Sequence, residues 1–224
     1  MTVESIPKVE ESLPAVSHIA FVVDDLQEGM RRFNGLLGIG PWMVYRYEPP
    51  RLSNTTFRGE AQEYSMRLAF TDVKGPIDWS SSVVSGGVLK RIMGWMASLR
   101  DRFGLRPPTT QSRNGSQPLS ASIPNPGVPG VNIELIEPLE GESTYVEHLE
   151  RGGTGIHHIG CFAYDSPREA VQMYENAGIP VIQSGTFEGL EFWYLDTTEH
   201  LEGVILEIAA NLWAVPEPDD VFSA

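Results

Sequence analysis

One feature limits what this chain can fold into: it contains the same segment twice. "HIAFVVDDLQEGMRRFNGLLGIG" (18–40) and "HIGCFAYDSPREAVQMYENAGIP" (158–180) align without a gap at a constant offset of 140. His18 meets His158, Ile19 meets Ile159, Asp25 meets Asp165, Gly38 meets Gly178 and Ile39 meets Ile179. Each copy reads as an apolar strand, a polar turn, an amphipathic helix and a glycine stop. Met30, Phe33 and Leu37 in the first helix match Ala170, Met173 and Ala177 in the second, on one face of each.

Each half also ends in a related strand, "VNIELIEP" (131–138) and "GVILEIAA" (203–210). Both place one carboxylate in an apolar run, Glu134 and Glu207. A buried carboxylate is costly unless it has a partner, and two at matching places ask for one explanation. The first half is longer by about 67 residues, which fall after "YSMRLAFTDV" (64–73). This insert (about 74–129) holds a helical pattern at 86–104, then a loop rich in Pro, Gly and Ser at 106–130.

Strands are predicted near 17–23, 41–47, 64–71, 131–136, 157–163, 180–186, 191–196 and 203–209, with helices near 25–36, 143–151 and 166–177. The organisation is one domain over 1–224. Its parts are a first βαβββ module (15–138, carrying the insert), a second (139–212) and a tail (213–224).

If the halves pair around a pseudo-two-fold axis, His18, Glu134, His158 and Glu207 come together. Two imidazoles and two carboxylates suit one divalent first-row metal: Zn, Mn, Co, Ni or Fe. The neighbouring His157 is expected to face the other way, with Ile159 and Cys161, because side chains alternate along a strand. His148 and His200 are expected to be solvated.

The net charge of −14 argues against general nucleic-acid binding, which needs phosphates neutralised by Lys and Arg. Basic residues do gather at 88–113, where Lys90, Arg91, Arg100, Arg102, Arg106 and Arg113 face one acid, Asp101. No run approaches the length of a membrane span, no signal peptide is evident, and the single cysteine, Cys161, excludes an intrachain disulfide. A cytoplasmic protein is expected.

"SHIAFVVDDL", "IELIEPLEGEST", "GGTGIHHIGCFAYD" and "GVILEIA" together resemble the vicinal oxygen chelate superfamily (glyoxalase, bleomycin resistance, dioxygenase), and within it the methylmalonyl-CoA epimerase branch. The resemblance covers roughly 15–73 and 130–212. It implies an α+β fold, two βαβββ modules forming a cupped eight-stranded mixed sheet around a metal held by His18, Glu134, His158 and Glu207. It further implies a metal-dependent isomerase or lyase that removes a proton alpha to a carbonyl, with Glu207 as the better base and Glu134 second.

Epimerases of this kind carry a second, non-ligand carboxylate on the third strand, where this chain has Ser65, with Glu60 and Glu63 nearby. The insert also departs from them and would cover the pocket with Trp79, Met93, Trp95 and Met96. Substrate contacts are expected from Arg67, Ser65, Trp95 and Trp193, with Tyr45, Phe70 and Tyr194 also on cup strands; alternation separates Arg67 from Phe70. The expected partner is a small carbonyl compound, an acyl-CoA or a bulky hydrophobic molecule, and a homo-oligomer is expected. Two alternatives stay open: an Fe(II) ring-cleaving dioxygenase, and a metal-free small-molecule binding or resistance protein.

Overall fold

A computed structural model describes residues 16–71, 131–162 and 166–223. These residues belong to one compact unit, built from the chain on either side of 74–130. The expected insert helix, the basic cluster, Trp79, Met93, Trp95 and Met96 lie outside the described residues.

The first module runs β1 (His18–Val22), α1 (Leu26–Leu37), β2 (Trp42–Tyr47), β3 (Leu52–Phe57), β4 (Glu60–Ala61), β5 (Met66–Thr71) and β6 (Asn132–Pro138). After α2 (Thr144–Glu150), the second runs β7 (Gly155–Gly160), α3 (Pro167–Asn176), β8 (Val181–Phe187), β9 (Leu190–Leu195) and β10 (Ile205–Ala210). A short 3-10 turn (Leu212–Ala214) and β11 (Asp220–Phe222) complete the chain. Among the described residues no helix is long and apolar enough to cross a membrane.

All strands among the described residues form one mixed sheet in the order β11-β2-β5-β6-β1-β7-β10-β9-β8-β3-β4. The two halves are topological copies. In each, the first strand pairs in parallel with the last, β1 with β6 and β7 with β10, and antiparallel pairs continue outward to β2 or β8. The copies join through antiparallel β1 and β7. The expected eight strands are present, and three more extend the sheet. The β3–β4 hairpin belongs to the first module in sequence, yet β3 pairs with β8 of the second. β11 extends the other edge against β2. Tyr47 of β2 stacks on Phe187 of β8 with ring centres 3.6 Å apart, so the outer strands of the two copies meet and the sheet is cupped.

The repeated helices cover the outer face. Asp25 caps α1 by accepting the Glu28 N–H, and α1 buries Leu26, Gly29 and Met30 against Trp42, Ala69 and Leu135. α3 buries Ala170, Val171 and Tyr174 against Cys161, Ile179, Leu195, Leu206 and Ile208. After both helices the chain turns at a left-handed glycine, Gly38 (φ 67°) and Gly178 (φ 88°), as the repeat predicts. Leu37 corrects the expected apolar face: the helix buries its first turns, and Leu37, its last residue, is 66% exposed.

Candidate metal centre

Strand register builds the site. Residues directly opposite one another on neighbouring strands share a face. Glu134 lies opposite Ala20, Ala20 opposite His158, and His18 opposite Gly160, which in turn faces Glu207. The four expected ligands therefore sit on one face, inside the cup, one from each of the consecutive strands β6, β1, β7 and β10.

Their polar atoms converge. His18 Nε2 lies 3.1 Å from His158 Nε2, 3.2 Å from Glu134 Oε2 and 3.0 Å from Glu207 Oε2. His158 Nε2 lies 3.2 Å from Glu134 Oε2 and 3.3 Å from Glu207 Oε2. Both imidazoles are fully buried, and the carboxylates nearly so.

Donors bound to one centre at about 2.1 Å, with angles between tetrahedral and octahedral values, lie roughly 3.0–3.4 Å apart. The five distances above fall in that range. Two imidazole nitrogens facing each other across 3.1 Å need a cation or a proton between them. The residues present therefore fit one divalent metal, and N,N,O,O donation suits zinc and its first-row neighbours.

Without metal, protons take the cation's place. Burial works against a charged His18, but Glu134 and Glu207 outweigh it and push the imidazole up to about 9. His158 moves up for the same reasons. Burial alone would raise Glu134, yet the two imidazoles hold it down at about 2, and Glu207 is lowered in the same way.

The walls are aromatic. The His18 ring packs against Phe70 (5.4 Å between centres) and Phe162 (4.7 Å), and the His158 ring against Tyr194 (4.8 Å). Gly160 makes room for His18: a Cβ there would stand 1.8 Å from His18 Cε1. Tyr194 hydrogen-bonds Tyr145 of α2, hydroxyl to hydroxyl, at 2.7 Å, and burial keeps both hydroxyls protonated.

His157 overturns the alternation argument. Ala20 pairs with His158, but the next residue, Phe21, pairs with Ile156, so His157 is an extra residue bulged out of β7. Its ring therefore lies near the cup rather than with Ile159 and Cys161: like His158, it packs on Tyr194. Its Nδ1 is 3.0 Å from His158 Nδ1. Burial, then the neighbouring His158 and His148, push its basicity well below the usual histidine range. His148 is half-buried against this ring, not solvated as expected, whereas His200 is exposed.

Three expected substrate contacts lie elsewhere. Arg67 faces the outer side and binds Glu137, its cross-strand neighbour, whose carboxylate also accepts the Leu26 N–H. Trp193 is likewise on the outer face, packed on the α3 side beneath the Arg168 guanidinium. Ser65 precedes β5, five positions from Phe70, or roughly 16 Å along an extended chain. Its backbone and hydroxyl tie that end of the strand to Leu139 and Glu140, in a groove that Arg46 and Glu48 also line. Glu60 and Glu63 are exposed, and Trp95 lies outside the described residues. Of the additional aromatics, Tyr45, Phe70 and Tyr194 share the cup face with the four ligands.

Sequence reasoning passed over Phe162, Gly160 and Tyr145. Gly160 had a legible signal, since it stands two residues after His158 and opposite the strand of its repeat mate.

Residues 86–194, which include Glu134 and His158, match the family model described as Glyoxalase/Bleomycin resistance protein/Dioxygenase superfamily. A search of curated proteins found no match. Similar solved structures include a Streptomyces coelicolor methylmalonyl-CoA epimerase variant in complex with 2-nitronate-propionyl-CoA (16% identity, 92% of this chain and 100% of that one, TM-score 0.48). Others are the Mycobacterium tuberculosis methylmalonyl-CoA epimerase (13%, 91% and 93%, 0.46) and a hypothetical protein from Bacillus halodurans C-125 (17%, 87% and 92%, 0.44). Over residues 86–194 the chain is similar in sequence to the glyoxalase/bleomycin resistance protein/dioxygenase superfamily.

Proposed function

We propose that this protein is a metal-dependent isomerase or lyase that removes a proton alpha to a carbonyl group. The observation that carries the reading is the convergence of His18, Glu134, His158 and Glu207 in one buried, aromatic-walled cup. A divalent cation held there would draw electron density from a substrate carbonyl and so acidify the neighbouring C–H. His18 and His158 serve as neutral ligands. Glu207 takes the proton and Glu134 is the second candidate, both being carboxylates kept ionised by their surroundings. Phe70, Phe162 and Tyr194 support a substrate with an apolar part, such as an acyl thioester or another carbonyl compound, and help exclude water from the carbanionic state. Epimerisation, isomerisation and elimination share this first step. Four protein donors favour this reading over a ring-cleaving dioxygenase, whose iron is held by two histidines and one carboxylate.

The test begins with metal content by mass spectrometry. Native protein should hold close to one divalent ion per chain, and His158→Ala should lose it. Carbonyl compounds incubated in D2O should then gain deuterium at the α-carbon with wild type, and not with Glu207→Gln. Protein that takes up no metal even after reloading would overturn the proposal.

A further inference from the structure

The two histidines of the cluster are repeat mates, yet their surroundings differ. His18 Nδ1 is buried and has no hydrogen-bond partner among the described residues. His158 Nδ1 faces His157 Nδ1 at 3.0 Å. At the position equivalent to His157 the first module has Ser17, whose hydroxyl instead accepts the Phe162 N–H at 2.9 Å. The imidazole pair thus belongs to the second module alone.

Proton placement follows from chemistry. To offer the Nε2 lone pair to a cation, His158 must carry its proton on Nδ1. That N–H then donates to Nδ1 of His157, which must be the unprotonated nitrogen of a neutral ring. The acceptor is fixed in place: the bulge in β7 turns His157 toward its neighbour, and the rings of Tyr145 (5.1 Å), His148 (5.4 Å) and Tyr194 (5.9 Å) enclose it. An acceptor at the far nitrogen orients a metal-binding imidazole, selects its tautomer and strengthens it as a ligand.

From this asymmetry we infer that His157 is a positioning residue that holds His158 in its metal-binding tautomer, so that the second-module histidine is the more firmly set ligand. The inference rests on the metal reading above. The bulge serves this role, since a regular strand would have turned His157 to the opposite face.

The test is a cobalt(II) titration of the full chain, read by visible absorption and by competition with a chelator. It compares wild type, His157→Gln, His157→Leu, His157→Phe and His158→Ala. Leucine and phenylalanine both remove the acceptor and differ in volume; glutamine keeps an acceptor oxygen. Leucine and phenylalanine should weaken cobalt binding about 10- to 100-fold and shift its absorption bands, and glutamine should recover most of the loss. Melting of the metal-free proteins separates this effect from general destabilisation. Wild-type affinity and bands in the leucine or phenylalanine variant would overturn the inference, as would equal weakening in all three His157 variants. A wild type that binds no cobalt, or a His158→Ala that binds as well as wild type, would strike the metal reading itself.

Discussion

Replacing Gly160 with alanine tests the site through a residue that contributes no ligand atom. The new Cβ would stand 1.8 Å from Cε1, 2.3 Å from Nδ1 and 2.5 Å from Nε2 of His18. Carbon atoms rest at about 3.5 Å or more, so ring and backbone must separate by about 1.7 Å. Ligand distances tolerate only about 0.2 Å. The ring has little room to yield: it is fully buried and enclosed by Phe70, Phe162 and His158. Overpacking of this kind costs about 1–3 kcal/mol in a well-packed core. Gly160→Ala should therefore lose its metal and melt lower. Gly35→Ala is the control, since nothing lies within 4 Å of that added methyl on α1. Adding His18→Ala to Gly160→Ala removes the clashing ring and should recover part of the lost melting temperature without restoring metal. Metal analysis and calorimetry on the four proteins decide the matter. A Gly160→Ala protein with full metal content, or a double variant no more stable than Gly160→Ala alone, would refute the argument.

Two further outcomes are expected. In chelator-treated protein, the raised His18 pKa contributes stability that is complete below its ordinary value of 6.5 and lost as pH rises through about 9, while the lowered Glu134 pKa contributes stability complete above 4.5 and lost as pH falls through about 2. Melting of the metal-free protein should thus be highest near pH 4.5–6.5 and fall on both sides; a flat profile from pH 6 to 9.5 would contradict the proton-sharing cluster. Arg67→Ala should leave metal content and the rate of α-deuteration unchanged and cost about 1 kcal/mol or less, because its partially exposed pair with Glu137 lies outside the cup; a large loss of turnover would show that the residue serves the substrate after all.

The repeat made the central architecture legible. Two copies of strand, helix and glycine stop, each followed by a glutamate-bearing strand, specify two like modules, and pairing them brings His18 and His158 face to face. Other features were hidden for physical reasons. The β3 segment "LSNTTF" is too polar and exposed to alternate clearly, and its partner strand is remote in the chain. A local signal existed in Arg58–Gly59, where two consecutive positive φ angles (49° and 86°) form a hairpin turn. His157 was misplaced because strict alternation presumes an unbroken ladder, and a bulge leaves no mark in the residue pattern. Arg67 and Trp193 lie on cup strands, where alternation alone says only that neighbours face opposite ways; register decides the side, and it places Phe70 and Tyr194 inside and Arg67 and Trp193 outside.

The hairpin that crosses from one module to the edge of the other makes the halves interdependent. Ser53 and Thr186, hydrogen-bonded across that seam, stand 133 residues apart in the chain. During synthesis, β3 emerges long before the strand that completes it and waits with an open edge. A first half made alone would keep that edge unpaired, and a second half made alone would expose β8 in the same way. Cutting the gene between the repeats would therefore yield two fragments that ripen only in each other's company.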